Sequence, residues 1–363
     1  MITDKVITMH KKRICMCCFA LLGLLTGCSS SDSLIKAYND TALENKRLII
    51  KMNQEDHMDF FASDLVVFPK TAIAVEETKE IIEETSESKS KSDSENEEPL
   101  IDNDAVADET VITSNNVLLA GIDTLEDIYE KNIYDRIYPA SVTKILTALV
   151  TIQNANFNDT VTFTEDMVVT DYGAKLCGFE VGDVLTVEQL FTGLMVYSGN
   201  DAANALAIHI GGSIEGFSDI MNNEAKRLGC VDTHFTNPSG LHDNEHYTSA
   251  YDLYLIFNEC LKYEKFQHII RQNSCDIEYK DANGEIVEAT YKTTNQYFTD
   301  AYDYPENIRV LGGKTGTTDQ AGCCLILYDV DSDDNGYVSL VLGADNYDTL
   351  YSEMNILLNK ITK

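Results

Sequence analysis

The chain has 363 residues, 44% of them hydrophobic, which is enough apolar material for one large domain or two ordinary ones. Acidic residues outnumber basic ones 60 to 27, for a net charge of -33. That balance excludes nucleic acid as a partner, because phosphate neutralisation needs a basic face, and it works against direct attraction to anionic lipid.

Lys11, Lys12 and Arg13 precede an apolar run over about residues 14–25, too short to span a bilayer and suited to a secretory signal. The run ends in Leu25-Thr26-Gly27-Cys28. A small residue directly before a cysteine at such a point resembles the lipobox of bacterial lipoproteins. The resemblance implies that residues 1–28 are a lipoprotein signal peptide and that Cys28 becomes the lipid-modified first residue of the mature protein. Several acyl chains on one cysteine anchor stably where a single chain does not. The expected location is therefore the extracytoplasmic face of a bacterial membrane, as an exported lipoprotein; the alternative is an ordinary cleaved signal with Cys28 incidental.

Of the 10 cysteines, Cys15, Cys17 and Cys18 leave with the signal and Cys28 is taken by lipid. Cys177, Cys230, Cys260, Cys275, Cys323 and Cys324 remain, and in an exported chain they are open to disulfides or to buried thiols. Cys323 and Cys324, adjacent on a strand pattern, point to opposite faces and do not suit a bond to each other. No cysteine or histidine spacing suggests a metal.

Residues 29–110 form a membrane-proximal segment, with a short strand expected over residues 65–68. From about residue 76 to 109 the composition is Glu, Asp, Ser and Lys with hardly any large apolar side chain. Such a stretch cannot bury enough surface to offset chain entropy and reads as a disordered acidic tether, kept extended by its own charge. An acidic interaction tail is the alternative reading. Order is expected from about residue 111. Residues 117–122 and 127–130 look like two strands joined by a turn around Asp123-Thr124.

Then comes Tyr138-Pro139-Ala140-Ser141-Val142-Thr143-Lys144, followed by an apolar run over residues 145–150. Pro139 disfavours helix at the residue before it, and the run reads as a buried helix with Ser141 in its first turn. Lys144 follows at i+3 on the same face. First-turn N–H groups lack intrahelical partners, so a nucleophile, a base and a donor for a developing oxyanion share one place.

A mainly helical stretch over about residues 155–290 follows, with a capping box expected from Thr186 and Gln189. Inside it Ser198-Gly199-Asn200 lies between two helical patterns. Lys314-Thr315-Gly316-Thr317 then follows the strand-like run 308–311. Two apolar runs, 324–328 and 337–342, read as a hairpin around residues 331–336. A final amphipathic helix over about residues 347–360 places Leu350, Met354, Leu357 and Leu358 on one side. Strands at both ends with helices between them predict an α+β fold. One antiparallel sheet, closed by the two chain halves, is flanked by helices and carries an inserted helical subdomain.

Serine and lysine are common, and S-x-x-K alone says little. S-x-x-K, S-x-N and K-T-G in that order, at a helix start, an inter-helix loop and a strand, are the signature of penicillin-recognising serine enzymes. From about residue 111 to the C terminus the chain resembles the serine-type D-alanyl-D-alanine carboxypeptidases, the low-molecular-mass penicillin-binding proteins. The stretches 195–203, 233–242, 246–253 and 313–322 carry the likeness alongside the three motifs.

The resemblance implies a β-lactamase/transpeptidase-like domain over residues 111–363. It implies removal of the terminal D-alanine from peptidoglycan pentapeptide stems through an acyl-enzyme, acylation by β-lactam antibiotics, and no metal or organic cofactor. Ser141 is then the nucleophile and Lys144 its base, which must be largely neutral although a free lysine titrates near ~10.4. Desolvation and a second cation, Lys314, are expected to lower it. Ser198 relays a proton towards the leaving amine, and Asn200 orients Lys144 and the substrate amide. The N–H groups of Ser141 and Thr317 form the oxyanion hole. Thr315, Gly316 and Thr317 bind substrate, with Lys314 and the two threonine hydroxyls meeting its terminal carboxylate.

Family members often carry an arginine or threonine in an N-x-N stretch before the third motif, where this chain has Thr293-Thr294-Asn295. Arg309 is a candidate substitute for a missing basic group. His234, His242 and His246 are open to base or packing roles, with packing preferred because a lysine already serves as base; Asn237 and Asp252 are read as structural. Alternative functions are a D,D-endopeptidase of cross-links, a β-lactamase, and a non-catalytic wall-binding or antibiotic-sensing lipoprotein. The β-lactamase reading is disfavoured by Gly199 in the middle motif and by the lack of a Glu-x-x-Leu-Asn pattern between Ser198 and Lys314.

Overall fold

The computed structural model describes residues 111–122, 127–299 and 301–361. The expected signal with Cys28, the segment 29–110 and the turn around Asp123-Thr124 lie outside the described residues. The described chain opens with strands β1 (Asn116–Gly121) and β2 (Asp127–Lys131), paired antiparallel. Helix α1 (Lys144–Asn154) follows, and every residue from Lys144 to Thr151 is buried. A helix covered all round belongs to the middle of a domain. After β3 (Thr160–Thr162) and a long loop comes β4 (Val184–Thr186).

Helix α2 (Val187–Thr192) begins on the expected capping box: Gln189 N–H donates to Thr186 Oγ1 at 3.2 Å, and Thr186 N–H to Gln189 Oε1 at 2.6 Å. Helices α3 (Asn200–Gly211), α4 (Ile214–Arg227), α5 (Ala250–Cys260) and α6 (Glu264–Ile270) follow. Strands β5 (Ser274–Lys280) and β6 (Ile286–Lys292) form a hairpin. A meander of β7 (Arg309–Thr318), β8 (Gly322–Val330) and β9 (Gly336–Ala344) leads to the last helix, α7 (Tyr347–Leu358).

The expected α+β architecture holds. A 5-stranded antiparallel sheet in the order β2-β1-β9-β8-β7 joins both chain halves, with Val117 opposite Val341. Alternation along its strands sends Leu119, Leu325, Leu327 and Val341 to one face, where Leu350, Met354, Leu357 and Leu358 of α7 cover them. On the other face α5 packs against β1 and β9, and its Tyr254 hydroxyl donates to the Gly121 carbonyl at 2.8 Å.

Residues 155–290 carry most of the helices, as expected, but also hold strands, so the sheet at the chain ends is not alone. A second, 4-stranded sheet runs β3-β4-β5-β6. Two of its strands have 3 residues each, too short to show a period. The other two alternate but leave most positions at least partly exposed, so polar side chains mask the strand signal. The six cysteines left open between disulfides and thiols are all free. Cys323 packs in the core under α7 while Cys324 is not part of that cluster, as opposite-facing neighbours should be.

Candidate active site

Ser141 does not lie in an α-helical first turn. Residues Ala140–Thr143 form a 3-10 turn, and α1 starts at Lys144. The tighter winding eclipses side chains three apart, which brings the serine and lysine together more directly than α-helical spacing would. Ala140, immediately before the nucleophile, holds φ 47. That left-handed conformation is uncommon for a residue with a Cβ and is tolerated here because the surroundings dictate it.

The Lys144 ammonium is fully buried and lies 2.9 Å from Ser141 Oγ. It also donates to Asn200 Oδ1 and to the Ser239 carbonyl, each at 2.7 Å. Neither of those two acceptors can donate in return. A neutral Lys144 thus spends both hydrogens on them and turns its lone pair to the Ser141 hydroxyl. Burial is the main reason that Lys144 titrates at about 7 in place of 10.5, with the Lys175 ammonium adding to the effect; Cys177 and Asp201 oppose it.

Lys314, the second cation expected from the sequence, and Lys144 repel each other, and the Lys175 ammonium acts on both. Lys314 is itself buried and lies well below its ordinary range, through burial first and then repulsion from Lys144 and Lys175. Two adjacent buried amines do not both keep a full charge.

Ser198 and Asn200 come from the turn between a π-helical segment, Gly193–Tyr197, and α3. Ser198 adopts φ 71, and its Oγ accepts from Lys314 Nζ at 2.8 Å. Lys314 thereby links the second and third motifs. Asp201, one residue into α3, is buried and accepts N–H bonds from Cys177 at 2.9 Å and Gly178 at 2.8 Å. It ties the 175–179 loop to the same helix start.

The third motif lies on β7, which ends the 5-stranded sheet. Lys314 pairs with Ile326 and Thr317 with Cys323. A Cβ on Gly316 would meet Ser141 N at 2.8 Å and Val142 N at 2.9 Å. Only a glycine lets this strand edge lie on the nucleophile turn.

Thr315 is buried and its hydroxyl donates to Thr294 Oγ1 at 2.6 Å, while Thr317 Oγ1 and the Tyr347 hydroxyl are 3.0 Å apart. Arg309 does not substitute as a carboxylate group: it is exposed and pairs with Asp334 of the β8–β9 loop. Its place at the far end of β7 explains this, since it lies five positions before Lys314 along an extended strand.

His246 packs rather than titrates. Thr236 N–H donates to its Nδ1 at 3.1 Å, so the other ring nitrogen carries hydrogen towards Thr143 Oγ1 at 2.8 Å. Burial pushes its pKa down to about 3. His234 bonds the Glu245 carbonyl and His242 stacks edge-on against Tyr138. Asn237 Oδ1 accepts from Ser239 N–H at 3.1 Å and Gly240 N–H at 2.8 Å, fixing the loop whose Ser239 carbonyl meets Lys144. Asp252 accepts from Asp232 N–H and the Thr233 hydroxyl.

Sequence reasoning assigned no role to Ser239, Lys175, Tyr347 or Asp201, while Thr294 belongs to the 293–295 stretch noted before the third motif. Ser239 acts through a backbone carbonyl, which leaves no side-chain signal. Asp201 directly after Ser198-Gly199-Asn200, at a helix start, is the one that could have been found. Among the described residues no group of three or more His, Cys, Asp or Glu could hold a metal ion.

Comparison with known proteins places this geometry. A family model described as D-alanyl-D-alanine carboxypeptidase (Peptidase_S11) matches residues 103–346. The D-alanyl-D-alanine carboxypeptidase DacF of Bacillus subtilis is 34% identical over 216 residues, covering 58% of this chain and 53% of its own length. DacB2 of Mycobacterium tuberculosis, named for the same activity, is 34% identical over 185 residues, 50% of this chain and 59% of its own. The chain thus spans about half the length of the curated relatives it matches. The crystal structure of the Streptomyces K15 DD-transpeptidase superimposes with a TM-score of 0.63 at 27% identity, over 70% of this chain and 98% of that one.

Proposed function

Because the chain belongs to the D-alanyl-D-alanine carboxypeptidase family, we infer that it hydrolyses the terminal D-Ala-D-Ala bond of peptidoglycan pentapeptide stems through an acyl-enzyme on Ser141. The observation that carries this reading is the arrangement around Lys144. Two non-donating acceptors and burial together leave a lone pair aimed at the Ser141 hydroxyl.

Lys144 takes the hydroxyl proton as Ser141 Oγ bonds to the penultimate D-alanine carbonyl carbon. The oxyanion that forms is met by the backbone N–H groups of Ser141 and Thr317, each such donor being worth about 3 kcal/mol. The C–N bond then breaks, and the leaving amine of D-alanine takes the proton that Lys144 accepted, relayed through the Ser198 hydroxyl that Lys314 holds at 2.8 Å, so that Lys144 is neutral again. Water attacks the acyl carbon with Lys144 again as base, releasing the shortened stem and restoring Ser141. The substrate's terminal carboxylate is met by Lys314 and the hydroxyls of Thr315 and Thr317. β-Lactams acylate the same serine slowly and stoichiometrically.

Incubation with a peptide ending in D-Ala-D-Ala, followed by mass spectrometry of product and enzyme, tests the reading. Release of one D-alanine is expected, together with a penicillin adduct that is missing in Ser141→Ala. An intact peptide and an unmodified wild-type enzyme would sink it. The likeness to a protein titled a DD-transpeptidase favours a second reading, transfer of the acyl group to an amine. Adding an acceptor amine and weighing the product separates transfer from hydrolysis.

The signal-like segment and Leu25-Thr26-Gly27-Cys28 support anchoring through lipid on Cys28, on the extracytoplasmic face of the membrane. Expression in a lipoprotein-processing bacterium should yield a membrane-bound, acylated protein that Cys28→Ser releases. Unaltered membrane association of that variant would refute the anchor.

A further inference from the structure

Asp201 is a buried carboxylate in the first turn of α3 that the reaction described above does not use. Its Oδ1 accepts from Cys177 N–H and from Ala202 N–H of its own helix, each at 2.9 Å, and its Oδ2 accepts from Gly178 N–H at 2.8 Å. One side chain thus joins the start of α3 to the long loop between β3 and β4. Asn200 completes the joint. Its N–H donates to the Lys175 carbonyl at 2.8 Å, while its Oδ1 accepts from Lys144 Nζ at 2.7 Å. The loop lies hard against the turn: a Cβ on Gly199 would fall 2.3 Å from Cys177 Sγ and 2.8 Å from Asp201 Oδ1.

Burying a carboxylate is costly unless hydrogen bonds replace its water, so the amides that satisfy it are held in fixed places. Asp252 and Glu353 are also buried and also hold loop amides, at Asp232 and at Thr113 and Ser114. Neither adjoins in sequence a residue that bonds Lys144. Asp201 does, and the loop that it grips is bonded to that residue's backbone as well.

We propose that Asp201 is a positioning residue for the base: by gripping the Cys177 and Gly178 amides it seats the loop against the Asn200 backbone, and so fixes the Asn200 carboxamide that turns the Lys144 lone pair to Ser141. This rests on the reading of Ser141 and Lys144 as nucleophile and base.

The test is stopped-flow acylation of the full chain by saturating benzylpenicillin, at about pH 9, where Lys144 is neutral. A fold defect lowers the amplitude, because unfolded chains do not react, and leaves the rate constant of the folded ones unchanged. Asp201→Asn keeps the shape but puts a donor where an amide N–H needs an acceptor. Its rate constant should fall by about 10- to 100-fold. Asp201→Glu keeps the charge and displaces the acceptors by a methylene, and it should be slowed as well. With Asn200→Ala already in place, Asp201→Asn should cost less than about threefold more, because the group that it positions is gone. A wild-type rate constant in both Asp201 variants, or an undiminished loss in the Asn200→Ala background, overturns the proposal. NMR of the Asn200 side-chain amide reads the clamp without any reaction. The resonance should shift and broaden in Asp201→Asn, and an unchanged one also overturns the proposal. If the wild type forms no adduct while that resonance moves, the reaction reading falls and the clamp on Asn200 stands.

Discussion

The carbonyl of Ser239 accepts a hydrogen bond from Lys144 Nζ at 2.7 Å, across 95 residues of chain. With Asn200 Oδ1 at the same distance, it leaves the Lys144 lone pair one direction to point, towards Ser141. Activity therefore requires a deprotonated Lys144, and the proton is lost at about 7 because burial disfavours the ammonium. The neutral fraction grows as pH rises. Acylation by benzylpenicillin should climb about tenfold per pH unit below that midpoint and level off above it. Stopped-flow rates between about pH 5 and 9 check this; a flat profile would contradict the role of Lys144.

The nucleophile turn depends on a contact from the same loop. Gly240 has φ +83, and a Cβ there would fall 1.8 Å from the Ala140 carbonyl oxygen. Gly240→Ala must displace either the Ser239 carbonyl from Lys144 or Ala140 from its own left-handed conformation. We expect a fall in acylation rate of about 10- to 100-fold, from misplacement on the order of 1 Å, with a lower melting temperature. Parallel rate and thermal measurements test it, and a wild-type rate in the variant would show that the loop does not position the site.

His246 should stay neutral through the working range. Its folded pKa, about 3 against an ordinary 6.5, means that below about 6.5 the unfolded chain binds the extra proton. Stability tied to this residue is present above about 6.5 and is lost as pH falls towards 3, at about 1.4 kcal/mol per pH unit. In His246→Asn the urea midpoint should therefore depend less on pH between about 6.5 and 5 than in the wild type. The midpoint of the acylation profile should not move. A shift in that midpoint would instead mark His246 as part of the base.

Asp329 is fully buried in β8, and neither carboxylate oxygen has a hydrogen-bond partner among the described residues. Burial lifts its pKa to about 8 from 3.8. Between those values the folded state holds a proton that the unfolded chain has released, so stability falls as pH rises from about 4 to about 8 and is then level. Asp329→Asn keeps the shape and removes the titration. It should be more stable than wild type at pH 8, by a few kcal/mol at most, with the gap closing towards pH 5. Urea unfolding of both proteins across that range decides it, and a constant gap would contradict the assignment.

Much of the fold was legible where local pattern and burial coincide. Leu350, Met354, Leu357 and Leu358 share a helical face because their spacing follows the helix period, and all are buried under the sheet. The Thr186–Gln189 capping box likewise needs only its own four residues. The strands β5 and β6 were hidden because polar side chains occupy their open positions. Arg309, the less favoured substitute in the sequence, is excluded by its place at the opposite end of β7 from Thr315 and Thr317.

The amino-acid order alone determined the family, the nearness of Ser141 to Lys144 and the three motifs, since each depends on neighbours within a turn or two of chain. It did not determine which groups surround the Lys144 amine. A lysine's charge depends on the water taken from it and on the dipoles put in its place, here from Asn200, Ser239 and the Lys175 ammonium. Those groups converge only when two sheets and a buried helix close around one point, so the chemistry of Lys144 was decided by the tertiary structure.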